Sequence, residues 1–297
     1  MAKLEKVLEY IRENRSVNEI KQKLNISDKQ LKIYLKLLKE TGIFTSSELN
    51  NNGRLVYKIN KTNDEYFIRV KAGKNNEINA LVISDLHFGS GYERIDLLDK
   101  VYEYATKNDI HIILNLGDLI HGRESKMSTG SQVEKVINEY PKDESIKNII
   151  LLGNHDYHSL YYDGYDIANT LFNERTDFIN AGYGVGIINI LSQQIGLYHD
   201  LSVIKNPVKT INSPILNLNG HSHYFKITSG SVLKVNVPTL SDFIFTGKET
   251  IPSFLKLKLE LYNGKVEKIY IQNKVFSDSI ITVGEIKYSV PVLKKKK

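Results

Sequence analysis

The apolar positions of the first 60 residues repeat at helical spacing and then alternate as in a hairpin. Three segments each carry one apolar face and predict three helices: residues 4–11, 17–24 and 31–38. Ser16 and Ser27 are placed to cap the second and third helices, and Gly42 is placed to end the third. Apolar runs on both sides of the polar turn at residues 50–53 predict a β-hairpin.

From residue 78 onward, apolar strand-like runs alternate with amphipathic helices, a pattern typical of α/β proteins. Three of these runs end at polar motifs: residues 79–84 run into Asp85-Leu86-His87, 112–116 into Gly117-Asp118, and 149–152 into Gly153-Asn154-His155-Asp156. His199, His221 and His223 follow later in the chain. Because sites in α/β sheets form where strands end, we expect these side chains to converge.

The chain of 297 residues is long enough for one large domain and one small domain. We place the small domain at 1–62, a linker with a first strand at 63–77, the α/β domain at 78–290 and a basic tail at 291–297. The sequence has neither a leader-like start nor an apolar run that spans a bilayer, so a cytoplasmic protein without membrane contact is expected. Cysteine is absent, which leaves oxygen and imidazole ligands for any metal.

Positive charge is concentrated at both ends of the chain. The net charge is +6, with +6 in residues 1–61, +4 in the last four lysines and −4 between them. The third helix carries a basic ridge that repeats every three or four positions: Lys29, Lys32, Lys36 and Lys39. Clustered positive charge attracts phosphate backbones, so nucleic-acid contact is the favoured interpretation. A solvated face and a protein-interaction module are the alternatives.

The order of three helices and a hairpin in the first 60 residues resembles the winged helix-turn-helix family. This resemblance rests on the pattern of positions rather than on an invariant motif. It implies that the third helix and its lysines lie against nucleic acid.

The motifs of the α/β part have spacings that suit metal binding. In the Asp-x-His and His-x-His pairs, alternate residues leaving an extended strand project to the same side, so each pair can address one metal. The glycines before Asp118, Asn154 and His221 let the backbone turn sharply and keep bulk out of a crowded site. Carboxylate, amide and imidazole groups suit borderline-hard divalent ions such as Mn, Fe or Zn.

Taken in order, these motifs resemble those of the calcineurin-like metallophosphoesterases over roughly residues 78–275. The resemblance implies a four-layer α/β sandwich in which two mixed β-sheets pack together with helices outside. Carried over onto this sequence, the family pattern assigns Asp85, His87 and His223 to a first metal, Asn154, His199 and His221 to a second, and Asp118 to both. Two divalent ions are therefore expected, Mn first, with Fe, Zn, Ni and Co as alternatives.

The same resemblance implies a mechanism. Two cations about 3.5–4 Å apart share a hydroxide that attacks phosphorus in line. His155 lies beside a ligand without being one, and it would face the leaving oxygen as proton donor, with Asp156 orienting its ring. His121 and Arg123 flank the site and are candidates for contact with the substrate phosphate, with loop hydrogen bonding as the alternative.

Within the superfamily, Asp-x-His-x-Gly, Gly-Asp-x-x-His and Gly-Asn-His-Asp most resemble the double-strand-break-repair exonucleases. These enzymes carry a capping domain after the core, whereas only about 70 residues follow His223 here. A nuclease acting on DNA or RNA is the first expectation, and the related repair nucleases suggest a homodimer. A phosphodiesterase or phosphatase acting on a small nucleotide or a phosphoprotein is the second. A DNA-binding regulator without enzyme activity is the third.

Overall fold

The computed structural model describes residues 2–40, 45–50, 52–59, 67–70, 72–73, 75–200, 214–230, 232–243 and 250–291. Its first part contains helices α1 (Ala2–Arg12), α2 (Val17–Leu24) and α3 (Asp28–Glu40) and strands β1 (Thr45–Leu49) and β2 (Leu55–Ile59), which pair antiparallel. Ser16 and Glu19 form a capping box at the start of α2. Ser27 accepts a bond of 3.2 Å from the Gln30 amide at the start of α3. Gly42, expected to end α3, lies outside the described residues.

Two mixed sheets form the rest of the chain. Their strands are β3 (Phe67–Arg69), β4 (Glu77–Ile83), β5 (Ile112–Leu116), β6 (Lys147–Leu152), β7 (Phe178–Tyr183), β8 (Val185–Ile190), β9 (Gln193–Tyr198), β10 (Pro214–Asn219), β11 (Lys226–Thr228), β12 (Leu233–Asn236), β13 (Ser253–Tyr262), β14 (Lys265–Phe276) and β15 (Ile280–Ser289). One sheet has the strand order β15-β14-β13-β4-β5-β6-β7, and the other has the order β11-β12-β10-β9-β8-β3. Strands β4 to β7 run parallel, and β13 joins β4 antiparallel.

The helices that follow are α4 (Ile95–Lys107), α5 (Thr129–Glu139), α6 (Asn154–His158) and α7 (Ile167–Glu174), with a 3-10 turn at Gly122–Glu124 and a π-helical turn at Ser159–Asp163. Side chains alternate across β4, so its two faces belong to two cores. Ala80 and Val82 pack with the second sheet, and Leu81 and Ile83 pack with the helices. The expected α/β fold of two mixed sheets with helices is confirmed.

The N-terminal helices share a core with the rest of the chain. Buried residues of α1, α2 and α3 belong to the same apolar cluster as those of α4, α5 and α7. Helix α3 packs against the π-helical turn and β7, and Lys36 forms an ion pair with Asp166, the N-cap of α7. The strand expected between the two parts is β3, which pairs with β8 at the edge of the second sheet.

Several expectations fall on residues of which the structure describes little. Lysines 294–297 of the basic tail lie outside the described residues, and so does the side chain of Lys39. Lys29 and Lys32 are exposed on α3.

In the described part of the chain, none of the helices is both apolar and long enough to cross a bilayer.

Candidate metal centre

The candidate ligands meet where strands of both sheets end. Strands β4, β5 and β6 are parallel neighbours, so the residues after them lie at one edge of the first sheet. Strands β9 and β10 are parallel neighbours in the second sheet and bring His199 and His221 to the same place. The loops are joined directly: the Asp85 amide donates to the Gly117 carbonyl at 2.9 Å, and the His87 amide donates to the Asp118 carbonyl at 3.0 Å.

Most of these residues lie on left-handed backbone. The φ angles are 57° at Asp85, 50° at His87, 51° at Asp118, 67° at His221 and 62° at His223. This region is sparsely populated by residues with a Cβ. The extended backbone expected for the Asp-x-His and His-x-His pairs is therefore wrong. Asp85 and His87 do belong to one group of candidate ligands, whereas His221 and His223 belong to two different groups. The tight turns arise because each loop must reverse at a strand end while its side chains point inward.

The predicted ligands form two adjoining groups, and His87 also belongs to a third group with His121 and His155; in each group the ligand atoms lie within 4.8 Å of one another. In the first, Nε2 of His223 lies 3.3 Å from Oδ1 of Asp85 and 3.3 Å from Nε2 of His87. In the second, which also contains His221, Nε2 of His199 lies 3.0 Å from Oδ2 of Asp118. The groups adjoin because the same His199 atom lies 3.9 Å from Oδ1 of Asp85.

Three buried polar atoms of the centre are not satisfied by well-formed hydrogen bonds among the described residues. Asn154 Oδ1 accepts none, and Asp85 Oδ1 and His199 Nε2 have only ion-pair contacts with other candidate ligands, at 3.3 Å and 3.0 Å. Leaving a buried polar atom unpaired costs about 1–3 kcal/mol, and native structures rarely leave several together. Two of the three are oxygens that only accept, so a cation is the partner that fits. The residues present thus fit divalent ions bound by oxygen and nitrogen.

Backbone carbonyls fix the imidazole rings so that Nε2 faces the centre. Nδ1 of His199 lies 2.5 Å from the Leu116 carbonyl oxygen, and Nδ1 of His223 lies 3.4 Å from that of Phe243. Because a carbonyl only accepts, each Nδ1 carries the proton and each Nε2 is left to bind a metal.

Three glycines close around His199. A Cβ at Gly117 would lie 2.5 Å from its Nδ1, one at Gly220 would lie 2.7 Å from the same atom, and one at Gly153 would lie 2.7 Å from its Cδ2. A Cβ at Gly153 would also collide with the Asp118 carboxylate. The glycines before the motifs therefore leave the room that this ring and carboxylate need.

The charges of the centre favour an exchange of protons for cations. Burial opposes a charged His199, but the neighbouring Asp118 carboxylate outweighs it and raises the pKa of His199 to about 10. Burial works against the Asp118 carboxylate as well, yet His199 and its neighbours hold the pKa of Asp118 below its usual range. Burial lowers the pKa of His87 to about 3, which leaves this ring neutral and ready to donate a lone pair.

His155 stands beside the two groups. Its amide donates to Oδ1 of Asp118 at 2.9 Å, and its Nδ1 donates to the His121 carbonyl at 2.7 Å. Its Nε2 lies 4.0 Å from Oδ2 of Asp118. Burial lowers the pKa of His155, but Asp118 and the His121 carbonyl outweigh it and the net shift is upward. The surroundings of His155 thus favour its protonated form more than water does, and Nε2 faces the centre.

Asp156 does not orient this ring, and the role expected for it is wrong. Its buried carboxylate accepts three backbone amides, those of Leu119 at 3.1 Å, Ile120 at 2.9 Å and Gly153 at 2.7 Å. These bonds tie the loop after β5 to the loop after β6. The physical reason is that backbone donors surround Asp156, while the His121 carbonyl already binds the ring of His155.

Of the two expected substrate contacts, His121 is in the centre and Arg123 is at its rim. His121 is buried, with Nδ1 3.4 Å from Nδ1 of His87, and its ring stacks on His155 at 5.5 Å between centroids. Arg123 is exposed and lies 4.2 Å from the ring centroid of Tyr162.

Sequence reasoning missed two residues of the site. Phe243 covers it, with ring centroids 4.7 Å from His87 and 4.9 Å from His121. Gln132 is fully buried on α5 and bonds to both backbone groups of Gly122 at 2.9 Å. Neither residue stands in a motif. In the sequence, only its place among the apolar positions of α5 could have indicated that Gln132 is buried.

The model of the calcineurin-like phosphoesterase family matches residues 78–244, more than half of the chain, and the chain therefore belongs to that family. It is accordingly a metal-dependent phosphoesterase, with the candidate ligand groups described above. No curated protein matches the sequence significantly.

Solved structures with a similar fold include Vps29 from Chaetomium thermophilum, which is 15% identical with a TM-score of 0.46 over 74% of this chain and 100% of that chain. The E. coli phosphoesterase YfcE is 18% identical, with a TM-score of 0.44 over 72% of this chain and 100% of that chain. The purple acid phosphatase PPD1 from yellow lupin is 11% identical, with a TM-score of 0.46 over 82% of this chain and 58% of that chain. At these values the likenesses identify neither a substrate nor a partner.

Proposed function

We propose that this phosphoesterase is a nuclease that hydrolyses phosphodiester bonds of DNA or RNA with two divalent ions, Mn²⁺ first among them. The observation that carries the proposal is the position of α3, a helix with exposed lysines that packs on the π-helical turn directly after α6. Helix α6 carries Asn154 and His155, so a phosphate chain bound along α3 would lie near the segment that follows these residues. Positive charge next to a catalytic cleft raises the local concentration of a polyanion.

The ligand assignment of the family pattern suits the geometry. Asp85, His87 and His223 would hold one ion, Asn154, His199 and His221 the other, and Asp118 both. Bound there, divalent ions supply Lewis acidity toward phosphate oxygens and lower the pKa of water toward neutrality. His155 would donate its Nε2 proton to the leaving oxygen, since its Nδ1 is held by the His121 carbonyl.

A winged-helix function for residues 2–59 is part of this proposal. It is supported by the three helices and the two-stranded hairpin, and by the exposure of Lys29 and Lys32. Lys36 contributes less, since its ion pair with Asp166 neutralises part of its charge. Cytoplasmic location and a homodimer stay predictions.

A small-substrate phosphodiesterase is the second candidate, favoured by the net charge of −4 between residue 61 and the terminal lysines. An acidic surface repels a long polyanion more than it repels a single nucleotide.

The test compares substrates and charge-reversed variants of the full chain. Mn²⁺-loaded protein is incubated with single- and double-stranded DNA and RNA and with bis-p-nitrophenyl phosphate. Lys29→Glu/Lys32→Glu is compared with Lys107→Glu/Lys147→Glu, which reverses two exposed lysines at the opposite end of the first sheet.

We expect the α3 variant to raise KM for the polynucleotide at least about tenfold and to weaken its salt dependence, because phosphate contacts are lost. The control variant should change KM for the polynucleotide little. If the wild-type protein cleaves only the small diester, or if both variants behave alike, the nuclease proposal fails.

A further inference from the structure

We infer that Arg123 and Tyr162 form a stacking platform that binds the nucleobase next to the scissile phosphate. The platform would make the site selective for phosphodiesters that carry a nucleoside. This inference deepens the proposed nuclease function and rests on it for the polymeric substrate. Its test with a single nucleoside ester is independent of that function.

The platform consists of two exposed planar groups from different loops. Arg123 lies on the 3-10 turn after His121, and Tyr162 lies on the π-helical turn after α6. The guanidinium carbon is 4.2 Å from the centroid of the tyrosine ring, and 52% of the Tyr162 surface is exposed. A guanidinium beside an aromatic ring offers both charge and a flat face, which nucleobases bind without regard to sequence.

Aromatic rings connect the platform to the catalytic centre. The ring of His158 lies 6.3 Å from that of His155 and 5.5 Å from that of Tyr162, between centroids. The platform is thus one ring removed from the proposed proton donor. A base attached through its sugar to the reacting phosphate would lie at such a position, since the phosphate occupies the centre itself.

The backbone under the platform is fixed. Gly122 bonds through both its amide and its carbonyl to the buried side chain of Gln132. A Cβ at Gly122 would lie 2.6 Å from the His155 carbonyl oxygen, so the two loops touch at this point. The backbone that carries Arg123 is therefore tied to the catalytic loop. A platform held in this way loses little entropy when a base binds.

The test uses two esters that share a leaving group, thymidine 5′-p-nitrophenyl phosphate and methyl p-nitrophenyl phosphate. The measured quantity is the ratio of their kcat/KM values with Mn²⁺-loaded protein. Stacking contributes roughly five- to 150-fold in affinity per base. The variants are Tyr162→Ala, Tyr162→Phe and, as a control, Tyr262→Ala at the hairpin between β13 and β14, where 62% of the residue is exposed.

We expect Tyr162→Ala to lower the ratio at least about fivefold, mainly through KM for the nucleoside ester, whereas Tyr162→Phe and Tyr262→Ala keep the ratio within about twofold. An unchanged ratio in Tyr162→Ala overturns the platform, as does an equal loss for both esters, which would mean a structural role. If Tyr162→Ala does not fold, Arg123→Gln is measured against the same expectation. If the wild-type protein prefers the nucleoside ester but does not cleave polynucleotides, the nuclease proposal is refuted and the platform proposal is retained.

Discussion

Replacing Gln132 with alanine should damage both the stability of the protein and its catalytic loop. The side chain is fully buried on α5. Its Oε1 accepts the Gly122 amide at 2.9 Å, and its Nε2 donates to the carbonyls of Gly122 at 2.9 Å and Met127 at 3.0 Å. Next to Gly122, the His121 carbonyl binds Nδ1 of His155. The substitution therefore acts on the proposed proton donor through one short stretch of backbone.

The size of the effect follows from the groups left behind. The buried amide of Gly122 loses its partner, at about 1–3 kcal/mol, whereas the Gly122 carbonyl still accepts the Ser125 amide at 3.2 Å. We therefore expect a loss of about 1–3 kcal/mol in the free energy of unfolding. A displaced His121 carbonyl no longer fixes the tautomer and position of the His155 ring, and kcat should fall about 10- to 100-fold.

The assays are urea unfolding, kcat for bis-p-nitrophenyl phosphate with Mn²⁺, and metal content. The control is Gln193→Ala on β9 of the second sheet, a half-buried side chain that bonds to both backbone groups of Val266 on β14 of the first sheet. Both variants should lose stability, and only Gln132→Ala should also lose kcat while it retains metal. Wild-type kcat in Gln132→Ala, or a stability loss below about 0.5 kcal/mol, would refute the reasoning.

Three further outcomes are expected. His155→Ala should bind the same amount of metal as the wild-type protein and lose most turnover; full activity would remove His155 from the mechanism. Arg175→Met should destabilise by about 3–5 kcal/mol, because it leaves the buried Asp177 without its partner at 2.8 Å. Burial opposes ionised Asp177, but Arg175 holds its pKa below the usual value. The stabilisation from this ion pair is therefore complete above about pH 4. It is lost as the pH falls through the pKa that Asp177 has in the folded protein. Urea unfolding at several pH values should therefore show that the difference in free energy of unfolding between the wild-type protein and Arg175→Met becomes smaller in acid. Removing metal with a chelator should lower Tm, since free metal at 100 times its Kd adds about 2.7 kcal/mol to the stability of the folded protein. If adding metal back to the chelated protein does not raise its Tm, the metal site is contradicted.

The positions of the ligands were predictable because strand ends are marked in the sequence. The buried strands β4, β5 and β6 are predominantly apolar, and the polar motifs begin where the strands end. The N-terminal helices were predictable for a similar reason, since Ser16 and Ser27 mark the starts of α2 and α3. Local sequence patterns predict the structure of a segment where the residues of that segment alone determine its conformation.

The remaining features depend on contacts between distant segments, which local patterns do not contain. Asp156 looked like a partner for its neighbour His155, but the amides of the β5 loop capture its carboxylate. Phe243 covers rings that lie far from it in the sequence, and no spacing relates them. The left-handed backbone at the ligands has the same origin, since it is imposed by the packing of loops from two sheets.

The geometry of the centre carries two different costs, and cations would relieve only one. Buried atoms such as Asn154 Oδ1 and Asp85 Oδ1, which accept no well-formed hydrogen bond, would gain a partner in a cation. The left-handed backbone at the ligands costs about 1–3 kcal/mol per residue whether or not metal is bound. Bonds from outside the ligand set must therefore hold the loops. Asp156 does so between the β5 and β6 loops, and the Thr239 hydroxyl does so by donating to the Asp85 carbonyl at 2.8 Å. These non-ligand residues hold the loops that carry the ligands, which is how the buried carboxylate of Asp156 supports the centre without being one of its candidate ligands.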